Sequence, residues 1–474
     1  MTDPLLERDL APEALELVAK AAGSYLRELD ERPVRDPAAL ARLDELAGPL
    51  PERGLGTLDT VDRLIQTGTA TATHSSGPRF FHFVVGGSAP AAQAADWLAS
   101  LLDQVAGLWL TSPLATQLET VALDWLKDLF ALPRTFGGVL TPSATFANLT
   151  GLACARFWWA EQHGVNVTTD GLAGLPRMPV LSSGYLHPSS RKALQLLGVG
   201  RDTAETFARD ASGALDLDAL ANRLASLDAP AVIIGNAGEV NAGDFDPIDA
   251  LADLAEQHGA WLHVDGAFGL FARCAPETAP LARGIERADS VAADGHKWLN
   301  VPYESGFAFV RSQELLGRSF GAWNAAYLPQ PDEERINYNN LGPESSRRAR
   351  ALPIWATLRA YGRTGISEMV RRHHALAARL GRIVEESPDL ELLAPVQLCV
   401  VCFRFNPPGM SEEDKERLNV QLGADLIEDG RVYAGTTLYE GQTALRPAIV
   451  NWRTTETDID LLASVVRELG NRLL

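Results

Sequence analysis

The hydrophobic and polar positions of this 474-residue chain change rhythm three times. Over residues 1–75 the spacing is helical and broken by prolines. "PEALELVAKAAGSYLREL" places Leu15, Val18, Ala22, Tyr25 and Leu29 three or four apart, with Pro12 at the opening turn, where a missing N–H costs nothing. The segment is too small to hold a core and is expected to pack on something else, such as a second subunit. "SPLATQLETVALDWLKDLFALP" predicts another helix, opened by Ser-Pro and stopped by Pro133. From residue 137 the rhythm alternates. "GGVLT" precedes "SATFANLTGLACARFWWAEQH", "MPVLSS" precedes "SSRKALQLLG", and "PAVIIG" precedes "DPIDALADLAEQHG"; then come "AWLHVDG", "DSVAAD" and "SGFAFVR". Strand and helix in alternation predict an α/β domain on a mostly parallel sheet.

After the helical "RALPIWATLRAYGRTG" the pattern changes again. "LELLAPVQLCVVCFRFNPPG", "DKERLNVQLGADLIEDG", "ALRPAIVNWRTT" and "DIDLLASVVRELGNRLL" predict a smaller α+β unit. The expected organisation is an N-terminal helical segment over 1–75, a large α/β domain over 76–370 and a small C-terminal α+β domain over 371–474.

Composition narrows the function. A hydrophobic content of 46% is enough for a large core shared between such units. A net charge of -19 repels phosphate backbones and argues against nucleic-acid binding. No apolar run is long enough to span a bilayer, and "MTDPLLERDL" has neither the basic nor the apolar region of a signal peptide. Four cysteines make no disulfide framework in so long a chain, and a cytoplasmic location is expected. Cys399 and Cys402 form a C-x-x-C, but "LCVVCFRF" alternates like a strand and no second C-x-x-C completes a zinc site.

Positive charge is carried mainly by arginine; lysine occurs only at positions 20, 127, 192, 297 and 415. Lys297 stands where the strand-like "ADSVAAD" ends, in "ADGHKWLN". Lysine is the basic side chain that readily becomes a neutral amine nucleophile. Ligand groups in open α/β sheets gather at the carboxyl ends of strands. Four candidates fall there: Ser143, Ala144 and Thr145 after "GVLT", His187 after "VLSSGYL", Asp265 ending "WLHVD", and Lys297. A small-residue helix start suits a phosphate, a carboxylate suits a cationic ring nitrogen, an imidazole stacks on a ring, and an amine condenses with an aldehyde. Together these describe pyridoxal phosphate. Singly, each has a plainer reading. Ser143 and Thr145 could cap a helix, His187 could be a loop histidine, Asp265 could cap "GAFG", and Lys297 could be solvated. His263 and Asp265 share a strand face as H-x-D, but no third ligand accompanies them and no metal is assigned.

The chain resembles the group II pyridoxal-phosphate-dependent amino-acid decarboxylases, the aromatic-amino-acid and glutamate decarboxylases among them. The motifs are "PRFFHFVVGGSAPAAQAADWLAS", "SPLATQLETVALDWL", "GGVLTPSATFANL", "HVDGAFG", "ADSVAADGHKWLNVPYESG" and "SRRARALPIWATLRAYG". The resemblance implies a fold-type I, aspartate aminotransferase-like architecture and a homodimer whose leading helices wrap the partner. It implies pyridoxal phosphate as cofactor and decarboxylation of an L-amino acid to an amine and carbon dioxide; the alternatives are another reaction of the same cofactor, such as oxidative decarboxylation-deamination to an aldehyde, and a catalytically silent cofactor-binding protein. By this resemblance Lys297 is the Schiff-base lysine, Asp265 the partner of the ring nitrogen and His187 the imidazole on the ring. Ala144 and Thr145 match the phosphate turn, His296 a phosphate contact and Asn236 a polar side chain near the cofactor. Tyr327 matches the loop tyrosine that reprotonates the substrate carbon and favours simple decarboxylation. Arg446 matches an arginine that holds the substrate's carboxylate end. Phe80, Phe81, His82 and Phe83, with Val105, Gly107 and Trp109, are expected to line the substrate pocket across the dimer interface. This sequence departs from the family at Phe146, often glutamate, at Glu239, often threonine, and at Gly295, often proline.

Overall fold

The computed structural model describes residues 3–321 and 335–474. The alternating middle of the chain forms one sheet from β1 (Gly137–Thr141), β2 (Val180–Ser182), β3 (Glu205–Thr206), β4 (Val232–Asn236), β5 (Trp261–Asp265), β6 (Ser290–Asp294) and β7 (Gly306–Val310). Among the described residues the strand order is β1-β7-β6-β5-β4-β2-β3. β2 pairs parallel with β3 and β4, β4 with β5, and β5 with β6. β7 is antiparallel to both β1 and β6, so every strand but β7 points the same way. This is the mostly parallel sheet that the alternation predicts. β1, β4, β5, β6 and β7 are buried at every position, as expected of a sheet with no solvated face. The two-residue β3 escapes the sequence pattern because it is too short to show a period.

A buried ion pair fixes β1 beneath the site. Arg347 donates from Nη1 to Glu119 Oε2 (3.0 Å) and from Nη2 to Glu119 Oε1 (2.7 Å). The same guanidinium donates to the carbonyls of Ala106 and Leu140, and Leu140 N–H donates back to Glu119 Oε1. The two side chains are 1% and 2% exposed. One carboxylate of the helix Pro113–Leu129 thus pins the strand that leads into Ser143.

The smaller unit is an antiparallel sheet of β8 (Leu390–Leu392), β9 (Phe403–Phe405), β10 (Thr436–Tyr439) and β11 (Gln442–Leu445), in the order β10-β11-β9-β8. The helices Glu412–Asp429 and Glu456–Arg472 pack on it. The helical "RALPIWATLRAYGRTG" begins a longer element, Ala351–Glu386, broken at Gly362 where φ is 61°. Its Ile366, Met369 and Val370 belong to the large core, whereas Leu376, Ala377 and Leu380 belong to the second core. The change of core falls inside one helix.

One expectation is corrected. Cys399 and Cys402 do not lie in a strand: Val400 makes only an isolated bridge to Ala448, and β9 begins after Cys402. The segment is buried between the two cores, which gives its alternating apolar pattern without a ladder. In the leading segment Leu15 is 56% exposed and the helix Ala11–Glu28 buries none of its residues, although the Leu29 that follows is buried. The helix Thr57–Thr71 buries only Thr67. The two helices pack on each other and leave Leu43, Leu50 and Leu64 in the open.

Removing one member of a buried ion pair strands the other charge, at a cost of about 3–5 kcal/mol. Glu119→Ala is therefore expected to lower the melting temperature sharply, whereas Arg35→Ala, at an exposed pair with Glu428, leaves it nearly unchanged. Thermal melts followed by circular dichroism compare the two.

Candidate active site

The shared strand direction brings the ends of β1, β2, β4, β5 and β6 to one edge of the sheet, where a cavity of about 290 Å³ opens. β1 delivers Ser143, Ala144 and Thr145, the loop after β2 delivers Tyr185 and His187, and β4 delivers Asn236 and Glu239. β5 delivers Asp265 and Phe268, and β6 delivers Asp294, His296 and Lys297. Phe83 and Val84 close one wall and Tyr303 another. Every residue expected to hold the cofactor lines this single cavity.

Ser143 stands at the N-cap of the helix Ala144–Gln162 in extended geometry, yet its side chain makes no capping bond. The capping reading of Ser143 is therefore not what the structure displays. The Ala144 N–H donates to Asp294 Oδ1 instead. Asp294 Oδ2 lies 3.0 Å from Lys297 Nζ, and Asp294 Oδ1 lies 3.4 Å from His296 Nε2. Asp294 was not among the expected site residues. Its signal was a carboxylate three positions before the lysine, where a strand hands over to a turn. Burial pushes the His296 pKa below the ordinary histidine value, with Asp294 pulling the other way. The His296 ring stacks on Tyr303 at 4.1 Å.

Asp265 accepts from Asn148 Nδ2 (2.8 Å) and Ser190 Oγ (3.0 Å) at Oδ2, and from Ala267 N–H (3.2 Å) at Oδ1. The local capping of "GAFG" is thus present, but it involves one oxygen only. His187 caps the helix Pro188–Leu196: its Nδ1 accepts from Ser189 N–H (3.1 Å). That bond leaves Nε2 as the protonated nitrogen of a neutral ring. Burial lowers the His187 pKa, Asp265 opposes the shift and Lys297 adds to it. Asn236 lines the cavity, but its Nδ2 donates to Asp246 Oδ2 (2.9 Å) and Ser183 Oγ (3.1 Å). It braces the end of β4 more than it offers a free donor.

The loop after Lys297 is tied to the smaller unit. Trp298 Nε1–H donates to His373 Nδ1 (2.8 Å), and His373 Nε2–H donates to Asn451 O (2.9 Å). Asn300 donates to Trp298 O and Val450 O and accepts from Trp452 N–H. Burial pushes the His373 pKa down to about 3, so the ring stays neutral in this clamp.

The departures from the family pattern have local causes. A Cβ at Gly295 would sit 2.4 Å from Ser305 Oγ, and Gly295 N–H donates to Ser305 O, so neither proline's ring nor its missing donor fits. Glu239 folds back to accept from Asn241 N–H (2.6 Å) and Ala242 N–H (2.7 Å), and burial raises its pKa. Phe146 is 36% exposed on the helix Ala144–Gln162 and does not line the cavity.

Within one chain, the expected substrate wall meets the cavity at a single residue. Of Phe80, Phe81, His82 and Phe83, only Phe83 reaches the cavity. Phe81 is buried in the second core because its N–H donates to Tyr433 O and its ring faces inward. Phe80 stacks on Tyr433 at 5.3 Å, and His82 meets the same ring edge-on at 5.6 Å. Arg446 is buried behind the wall, where Nη1 donates to Phe83 O (2.7 Å). Its Nε and Nη2 find no partner among the described residues. Arg446 thus supports Phe83, whose backbone φ is 55°. Val105, Gly107 and Trp109 do not line the cavity of their own chain. A side chain at Gly107 would press on Ser345 O at 3.0 Å, and Trp109 is covered by Arg335. Val105 is exposed, as are Trp97, Leu98 and Leu101 earlier in the chain. Tyr327 lies outside the described residues. Among those residues, no group of three His, Cys, Asp or Glu side chains could hold a metal ion.

The donor set suits pyridoxal phosphate: an uncapped serine at a helix start, a buried carboxylate that lines the cavity, an imidazole whose Nδ1 is held as an acceptor, and an amine. Residues 38–406 match the family profile described as "Pyridoxal-dependent decarboxylase conserved domain". An aromatic-L-amino-acid decarboxylase from Bacillus atrophaeus is 27% identical over 475 residues, covering 98% of this chain and 96% of the relative. A phenylacetaldehyde synthase from Arabidopsis thaliana is 27% identical over 477 residues, covering 97% and 95%. The solved structure of Oryza sativa TDC with PLP and tryptamine superposes with a TM-score of 0.89 at 27% identity, covering 98% of each chain. With cavity, cofactor chemistry and kinship in agreement, the chain belongs to the pyridoxal-dependent decarboxylase family, as a pyridoxal-phosphate-dependent carboxy-lyase.

Proposed function

We propose that this enzyme removes the α-carboxylate of an L-amino acid with an apolar or aromatic side chain, releasing the amine and carbon dioxide. The observation that carries the reading is the meeting of Lys297, Asp265, His187 and the Ser143–Thr145 helix start in one cavity. Pyridoxal phosphate, when bound, supplies the electron sink that lets the carboxylate depart. Ser143, the helix start and His296 would receive its phosphate, Asp265 Oδ1 its ring nitrogen and His187 its ring face. Lys297 Nζ, beside Asp294 Oδ2, is the amine placed to bond its aldehyde carbon. Tyr327 is the proposed donor that returns a proton to the substrate's α-carbon. It is also the reason to prefer amine over aldehyde as product, since relatives of both kinds match this chain equally well.

Support for an apolar or aromatic side chain comes from the cavity wall, where Phe83, Val84, Val240 and Phe268 stand. Glu239 also lines the cavity, but both of its carboxylate oxygens are engaged by backbone N–H groups. A homodimer is part of the same proposal. Trp97, Leu98, Leu101 and Leu102 are exposed on one helix, Pro90–Leu102, with Val105 and Leu110 beyond it. An apolar face of that kind calls for a partner, and a second copy would cover it while bringing Val105 and Trp109 toward the other cavity. Cytoplasmic residence is supported by four buried cysteines that all stand as free thiols.

Borohydride treatment of the cofactor-loaded enzyme is expected to fix the cofactor to one peptide containing Lys297, and Lys297→Ala to abolish both fixation and carbon dioxide release. Fixation elsewhere rules out the assignment. A panel of L-amino acids assayed for carbon dioxide, amine, aldehyde and peroxide should yield amine and carbon dioxide one to one. Tyr327→Phe is expected to turn the product toward aldehyde, and mainly aldehyde from the wild type would overturn the proposed reaction. Sedimentation velocity is expected to give twice the chain mass, with Leu101→Glu shifting the population toward monomer.

A further inference from the structure

The H-x-D pair on β5 has a use that neither a metal nor the cofactor contacts account for. His263 is completely buried behind Asp265 and never reaches the cavity. Its two nitrogens are both engaged: Nε2 lies 2.9 Å from Asn148 Oδ1, and Nδ1 lies 2.8 Å from Ser290 Oγ. Ser290 Oγ in turn accepts from Trp261 Nε1–H (3.0 Å). Asn148 closes the series by donating from Nδ2 to Asp265 Oδ2.

The direction of every bond follows from chemistry. A carboxylate only accepts, so Asn148 must turn its amide nitrogen to Asp265 and its oxygen to His263. His263 must then carry its proton on Nε2, which leaves Nδ1 as an acceptor. Ser290 must donate its hydroxyl proton there, and its lone pair takes the indole N–H of Trp261. A charged His263 would have two donors and would break the order at Ser290. Burial drives the His263 pKa down to about 4, against the pull of Asp265, which keeps the ring neutral. Space has been left for the ring. A Cβ on Gly151 of the facing helix would lie 2.8 Å from both His263 Cε1 and Nδ1. The second amide hydrogen of Asn148 reaches Ser189 Oγ (3.3 Å), which stands 2.7 Å from His187 Nδ1. The same asparagine therefore braces the carboxylate and the imidazole that face the cavity.

We infer that His263 and Asn148 are positioning residues for the cofactor's ring nitrogen: with Ser290 and Trp261 they form a one-way chain of hydrogen bonds that holds Asp265 by Oδ2 and leaves Oδ1, whose one partner among the described residues is the Ala267 N–H, as the oxygen for the ring. Ser190 adds a second donor at Oδ2. Without the chain, the Asn148 amide is free to rotate and present its oxygen to Asp265. The inference rests on the assignment of Asp265 to the ring nitrogen.

The test is titration of each apoprotein with pyridoxal phosphate, read as a dissociation constant from absorbance, with melting curves to verify folding. His263→Phe and Asn148→Leu are expected to weaken binding roughly tenfold, the effect of one buried polar group left without its partner. His263→Gln, which keeps a donor toward Asn148, is expected to recover most of the loss. Ser290→Ala removes one hydroxyl and serves as the milder variant where the others do not fold; a smaller weakening in the same direction is expected. In an Asp265→Ala background none of these substitutions should weaken binding further. Equal weakening with and without Asp265 would mean that His263 and Asn148 serve only packing, and it overturns the inference while leaving the ring-nitrogen assignment intact. No effect of Asp265→Ala itself overturns that assignment and this inference together.

Discussion

Asp294 meets two groups at once, the Ala144 N–H at the start of the helix Ala144–Gln162 and Nζ of Lys297. The carboxylate is buried, so both contacts act without much screening by water. Their joint effect is geometric. The turn after β6, which carries the lysine, cannot move away from the turn after β1, which carries Ser143 and Thr145. A lysine at one strand end and an anion-accepting helix start at another serve one ligand only if their separation is held. Asp294 holds it from inside the cavity. Glu119 and Arg347 hold it from below, by fixing β1 to the helix Pro113–Leu129.

The same logic extends outward through Trp298, Asn300 and His373. Lys297 sits between a sheet and a clamp to the smaller unit. The clamp is made of neutral groups, each with a defined donor and acceptor, and it lies where the two cores meet in the helix Ala351–Glu386. A shift of the smaller unit against the sheet would be felt first at the peptide that follows Lys297.

Much of this was legible in the chain. Apolar runs set the strands, and the groups expected at strand ends met because all strands but β7 share one direction. The parts that were not legible depend on contacts between distant segments. Asp294, Asn148 and Ser290 are ordinary polar residues in sequence; only the pairing of β5 with β6 and the packing of the helix Ala144–Gln162 on them put Asp294 in the cavity and link Asn148 and Ser290 to the side chains of β5. "RFFHF" looks like a uniform aromatic wall, yet an extended backbone sends Phe81 to the opposite side from Phe80 and His82. Arg446 could be placed near the substrate by its motif. What the motif does not carry is that its guanidinium holds the carbonyl of Phe83. The cysteine pair misled because burial between two cores produces the same alternation as a strand.

Those cysteines have a practical meaning of their own. All four thiols are buried, and burial pushes the pKa of Cys154 and Cys402 up to about 12 and that of Cys274 and Cys399 up as well. A thiol that is neither exposed nor ionised does not react with alkylating reagents. Cys154 and Cys274 report on the large core, while Cys399 and Cys402 sit where the smaller unit meets it. The protein therefore carries its own set of silent labels, and the order in which they become reactive under denaturant would record which part of the fold opens first.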